Sequence, residues 1–142
     1  MSTFQKMHLG NFNTCESIVI PVNDLNGHWY MLRIQNIDKY IEIWDSHPSG
    51  TCSSNSRVCY VHTLLRSLDL VLAKHISSSY NPHFKFEVLP IKFRYDVATS
   101  HNCFYCGVFV CQYMHMASTN SPTYTFHFKE MGRTKFFISL KL

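Results

Sequence analysis

Gly27-His28-Trp29-Tyr30-Met31-Leu32-Arg33-Ile34-Gln35-Asn36-Ile37-Asp38-Lys39-Tyr40-Ile41-Glu42-Ile43-Trp44-Asp45 holds two alternating apolar runs around a polar centre. Such runs form a β-hairpin. Closure through a two-residue loop, Asn36-Ile37, pairs Ile34 with Lys39, Leu32 with Ile41, Tyr30 with Ile43 and His28 with Asp45. The opposite face then pairs Gln35 with Asp38, Arg33 with Tyr40, Met31 with Glu42 and Trp29 with Trp44. A slip by one residue would mix the two sets, so pattern and turn length support this register. It brings His28 and Asp45 together at the open end, with β-carbons about 5 Å apart. A carboxylate on one imidazole nitrogen fixes the tautomer, raises the basicity of the ring and readies the other nitrogen for proton transfer. Structural His-Asp pairs are common, so this pair alone does not define a site.

Outward from the hairpin, Ser17-Ile18-Val19-Ile20-Pro21-Val22 reads as a strand closed by the turn Asn23-Asp24-Leu25-Asn26-Gly27. Residues 45–56 are rich in Ser, Pro, Gly and Asn and read as a surface loop. Val61, Leu64, Leu65, Leu68, Val71 and Leu72 fall at helical spacing, which predicts a helix from Val61 to about His75. Phe84 to Leu89 alternates as a strand would, and a second helix is expected from near Cys106 to Ala117, ended by Asn120-Ser121-Pro122. Residues 129–142 suggest a third. Strands precede interleaved helices, which favours an α+β class over regular β-α-β alternation.

The 142 residues, 46% apolar and 15% charged, suit one packed domain spanning 1–142, with its core from about residue 17. No apolar run reaches the ~20 residues of a membrane span, and residues 1–6 lack a secretory apolar stretch. A soluble intracellular protein with no membrane partner is therefore expected. The 13 basic against 9 acidic residues give +4, but they are dispersed, which argues against a nucleic-acid partner. Six cysteines without a signal peptide read as reduced thiols.

Among those thiols, Cys106 stands at a predicted helix start, where free backbone N–H groups and the helix dipole favour thiolate. Gly107 beside it carries no side-chain bulk. With His28 and Asp45, Cys106 completes a nucleophile, a base and an orienting group. Cys111 sits in an apolar helical stretch and reads as a small core residue. Cys103 and Cys106 form C-x-x-C, yet only 36 residues follow, too few for the remaining strands of a thioredoxin-like redox fold. Cys103, Cys106, Cys111 and His115 are a weak zinc alternative, because structural zinc sites usually pair ligands from separate elements. His47, His62, His75, His83, His101 and His127 read as surface or core residues.

Four segments together resemble the ubiquitin-like-protein-specific cysteine proteases, which include the SUMO-deconjugating enzymes. They are Ile18-Val19-Ile20-Pro21-Val22, Gly27-His28-Trp29-Tyr30-Met31-Leu32, Ile43-Trp44-Asp45-Ser46 and Cys106-Gly107-Val108-Phe109-Val110-Cys111. The order His, Asp, Cys is the family's order, and residues 128–142 resemble its last helix. The resemblance implies a papain-like fold of the ubiquitin-like protease type, a mixed sheet packed by helices and shortened at its N-terminus. It implies that Cys106 attacks the carbonyl after the Gly-Gly end of a SUMO-like modifier or its conjugate. His28 would act as base and then acid, Asp45 would orient it, and Trp29 would enclose the Gly-Gly tail. Neither a metal nor an organic cofactor is implied.

The family's oxyanion glutamine, six residues before the nucleophile, is Ser100 here, with Asn102 or a backbone N–H as a substitute; loss of such a donor lowers rates ~10²–10³-fold. The family's Asp-Cys-Gly reads Tyr105-Cys106-Gly107, and only 27 residues precede His28, where the family carries a helical lobe. The expected function is a cysteine peptidase or isopeptidase, impaired by these departures. The alternative is an inactive truncated relative that serves as a binding module.

Overall fold

β1 (Ser17–Asn23), β2 (Trp29–Gln35) and β3 (Tyr40–Trp44) form an antiparallel meander, and β4 (Ile91–Arg94) adds to β3 in parallel. The sheet order is therefore β1-β2-β3-β4, and the sheet is mixed. A helix, α1 (Ser54–His75), lies between β3 and β4 in the chain, and α2 (Cys106–Ser118) follows β4. The computed structural model describes residues 15–24, 27–47, 54–75, 85–100 and 104–119. The expected helix over 129–142 and the substitute donor Asn102 lie outside them.

The hairpin forms, but its register differs from the expected one by two residues. Met31 faces Trp44, Leu32 faces Ile43, Arg33 faces Glu42, Ile34 faces Ile41 and Gln35 faces Tyr40. The turn uses four residues, 36–39, rather than two. The commonest two-residue loop requires positive φ at both positions, which the β-branched Ile37 resists. Instead only Lys39 takes a left-handed backbone, φ 56°. Asn36 anchors the turn to the start of β1, its N–H donating to Glu16 O at 2.9 Å and its side-chain amide to Cys15 O at 2.9 Å. Because a side-chain face repeats every two residues, the displacement leaves both faces intact.

Each face finds its own helix. Leu32, Ile34, Ile41, Ile43, Tyr30 and Val22 pack with Val61, Leu65 and Leu72 of α1. On the other side Met31 and Trp44 pack with Phe109, Val110, Tyr113 and Ala117 of α2. Trp44 meets Tyr113 edge to face at 5.7 Å, and the Tyr113 hydroxyl donates to Ala98 O. Full burial of such side chains stabilises by about 1.5–3 kcal/mol each before entropy is counted. Glu42 is also buried there, accepting from Trp44 Nε1 at 2.9 Å and from Arg94 Nη1 at 2.8 Å. That ion pair ties β4 to β3.

Three further expectations need correction. α1 begins at Ser54, seven residues before Val61 and inside the expected 45–56 loop, because a first-turn residue, Arg57, is buried against residues 45 and 47. Val71, placed on the inner stripe by its spacing, is exposed. Cys111, expected in the core, is exposed on α2.

Nor is the segment before Pro90 a strand. Phe86–Val88 forms a 3₁₀ turn, and the strand comes afterwards at Ile91–Arg94. Phe86 and Leu89 point inward at a spacing of three, while Val88 is exposed. The cause is the buried Asp69 of α1, whose carboxylate accepts Phe86 N–H at 2.8 Å and Glu87 N–H at 3.0 Å. Asp69→Ala leaves two backbone donors without that partner and is expected to destabilise the fold by about 1–3 kcal/mol. Urea unfolding checks this: the midpoint should fall with an unchanged slope, and Asp69→Asn should recover part of the loss.

Candidate active site

His28 stands immediately before β2, at the end of a turn built on Asp24. The Asp24 carboxylate accepts His28 N–H at 2.9 Å, Asp24 N–H donates to His28 O at 2.9 Å, and Gly27 N–H donates to Asp24 O at 3.0 Å. Gly27 has φ 77°, a conformation that side-chain-bearing residues rarely adopt. These bonds fix the backbone on which the imidazole stands.

Asp45 lies just past β3. In the observed register it is diagonal to His28 rather than opposite, a separation that long side chains still span. His28 Nε2 and Asp45 Oδ1 are 2.8 Å apart. The same oxygen accepts His47 N–H at 2.8 Å, and Oδ2 accepts from Arg57 Nη1. Burial alone would raise the pKa of Asp45. The hydrogen bonds from His28 and from His47 N–H, with the charge of Arg57, outweigh burial and hold the carboxyl below its ordinary range. The group is therefore a carboxylate at neutral pH.

Cys106 is the first residue of α2, where the unsatisfied N–H groups of a helix start favour negative charge. Its sulfur accepts the Trp29 N–H at 3.4 Å, which sets the thiol beside the residue that follows His28. Packing of Phe109 and Tyr113 on Met31 and Trp44 seats α2 over the sheet and so sets this approach. The structure thus brings all three residues to one end of the sheet. Cys106 is only 5% exposed.

A groove of about 650 Å³ opens beside the thiol, lined among others by Trp29, Phe104, Gly107, Val108 and Met114. Trp29 is partly exposed and lies over Gly107; a β-carbon there would sit 3.7 Å from the indole, an ordinary contact. With the Asn23 amide turned to satisfy both neighbours, its oxygen accepts Trp29 Nε1–H at 2.8 Å. The indole and the backbone of His28 are therefore held by the adjacent residues Asn23 and Asp24.

Ser100 is tied to the loop after β3 by its backbone. Its N–H donates to Ser46 O at 2.7 Å, and its carbonyl lies 3.2 Å from His47 Nδ1. His47 thus bridges Asp45 and Ser100, a role that its reading as an ordinary surface or core residue missed. Arg57 and Asp24 were also missed. Asp24 carries a weak signal as an Asx-type residue four before His28, whereas a basic residue in the first turn of a helix normally points to solvent. Among the described residues no group of three or more His, Cys, Asp and Glu side chains could hold a metal, and no helix is long and apolar enough to cross a membrane.

Comparison with known proteins bears on this arrangement. The model of the Ulp1 protease family, C-terminal catalytic domain, matches residues 2–140. A search of curated protein sequences found no match. Among solved structures, the SUMO protease Ulp1 with its catalytic cysteine oxidised to a sulfonic acid is similar with a TM-score of 0.65 at 19% identity, over 94% of this chain and 57% of that one. The C-terminal Ulp1 protease domain in complex with Smt3, the yeast ortholog of SUMO, gives 0.62 at 22% identity, over 89% and 52%. This chain spans just over half the length of those domains. The likeness establishes the α+β, papain-like fold. With a family model matched over almost its whole length, the chain belongs to the Ulp1 protease family.

Proposed function

We propose that this chain is a cysteine peptidase or isopeptidase that cleaves after the C-terminal Gly-Gly of a SUMO-like modifier, with Cys106, His28 and Asp45 as its triad. The observation that carries the reading is a pair of contacts one residue apart. Asp45 binds His28 Nε2 at 2.8 Å, while the N–H of Trp29 reaches Cys106 Sγ at 3.4 Å. Nδ1 is then the imidazole nitrogen left to exchange a proton with the thiol. The thiolate attacks the glycine carbonyl, and the tetrahedral adduct collapses as the amine leaves with a proton from His28. A thioester to Cys106 remains. His28 then takes a proton from water, whose oxygen attacks the thioester, releasing the glycine carboxylate and restoring the thiol.

A SUMO-like substrate is supported by the Smt3 complex of the similar Ulp1 domain and by the groove beside Cys106, where Trp29 lies over Gly107. A flat tail without side chains suits such a cleft. The serine at position 100 supplies less oxyanion stabilisation than a glutamine would, so turnover is expected to be slow.

A SUMO-type modifier with an electrophilic C-terminus is expected to label wild-type protein at Cys106. Labelling should vanish in Cys106→Ser and fall strongly in His28→Ala, and Ser100→Gln should raise hydrolysis by up to roughly 10²-fold. Labelling that survives Cys106→Ser contradicts the assignment. Tight modifier binding without turnover, indifferent to Cys106→Ser, would favour a binding module instead.

Asp45 also predicts a pH dependence. Its folded-state pKa lies below the unfolded value of about 3.9. The stabilisation is therefore complete above the ordinary carboxylate range and is lost as pH falls through the depressed value. Urea unfolding at a series of pH values should show a shallower acid loss for Asp45→Asn than for wild type.

A further inference from the structure

The described part of α1 contributes one charged side chain to the candidate site, and its position is unusual. Arg57 is 2% exposed, as is Asp45. Its Nη1 donates to Asp45 Oδ2 and its Nη2 to His47 O at 3.3 Å. The guanidinium thus spans the carboxylate and the backbone of the loop that carries it. Two other donors, His28 Nε2 and His47 N–H, meet the opposite oxygen, Oδ1. The carboxylate is held on both oxygens.

A buried ion pair is a costly way to gain stability, since desolvation of two charges offsets much of their attraction. Its value lies in orientation: the planar fork of arginine sets direction as well as charge, which the single ammonium of lysine does not. We infer that Arg57 is a positioning residue for the proposed triad, locking Asp45 in the rotamer that presents Oδ1 to His28. The inference rests on the proposed function for its kinetic consequence, but not for its electrostatic one.

The other groups around the carboxylate do not replace Arg57. Tyr30 of β2 and Tyr113 of α2 face Asp45, and burial pushes both phenols up, so they stay neutral. Asp24 adds negative charge near Tyr30, and Tyr60 of α1 is a second neighbour of that ring. His28 and His47 complete the surroundings. Among the described residues Arg57 is accordingly the permanent positive charge in contact with the carboxylate.

The test compares Arg57→Met and Arg57→Lys with wild type in the full chain. Carboxyl-carbon NMR reads Asp45 directly, assigned through Asp45→Asn. In Arg57→Met its titration should move up by about one pH unit, and in Arg57→Lys it should stay near wild type, because the charge remains. Hydrolysis of a SUMO-type modifier bearing a fluorogenic C-terminal amide reads the second consequence. Arg57→Lys loses the fork and should lower kcat roughly ten- to a hundred-fold with KM unchanged. A folded Arg57→Met whose Asp45 titrates as in wild type overturns the inference. If Arg57→Met does not fold, wild-type kcat in Arg57→Lys overturns it. A wild-type chain without turnover counts against the proposed function instead, and leaves the carboxyl titration to decide the role of Arg57.

Discussion

The pairing of β2 with β3 is the constraint on which the rest of the molecule depends. In that register Leu32, Ile34, Ile41 and Ile43 point to α1, while Met31 and Trp44 point to α2. Both helices are therefore recruited by the same two strands. A slip of one residue would exchange the faces and lose both interfaces at once. The same pairing ends with His28 and Asp45 at one edge, so the pairing that buries the core also supports the imidazole-carboxylate contact.

From that edge the site is assembled by elements distant in sequence. The Asp24 turn fixes the backbone of His28, α2 brings Cys106 over Trp29, and α1 delivers Arg57 to the far oxygen of Asp45. His47 connects Asp45 to Ser100. Each contact is short-range, but each depends on helices seated by apolar packing. The geometry of the candidate site is coupled here to the fit of Tyr113 against Trp44 and of Leu65 against the inner face of the hairpin.

Much of this was legible in the sequence because it rests on period and order. The alternation in 28–45 gave the two faces and the meeting of His28 with Asp45, and the apolar spacing gave α1 from Val61 onward. The turn length was misjudged because Asn36-Ile37 resembles a hairpin loop until the backbone demand on Ile37 is considered. The segment before Pro90 alternates as a strand does, yet a carboxylate seventeen residues away draws it into a 3₁₀ turn. Cys111 was misplaced because mean apolarity of a helix does not say which side faces the sheet. Arg57 was invisible for the same kind of reason: its partner is tertiary, and nothing near it in sequence marks the burial.

The central claim is that Cys106 and His28 act as one unit. It is tested most directly by the order in which the thiols react. Cys59 and Cys111 are exposed, whereas Cys106 is buried. A small haloacetamide at pH 6 reports thiolate content as well as access. With peptide mapping of the alkylated chain, the account predicts that Cys106 reacts ahead of both exposed thiols in wild type and behind them in His28→Ala. Exposed thiols reacting first in the wild-type protein would contradict it.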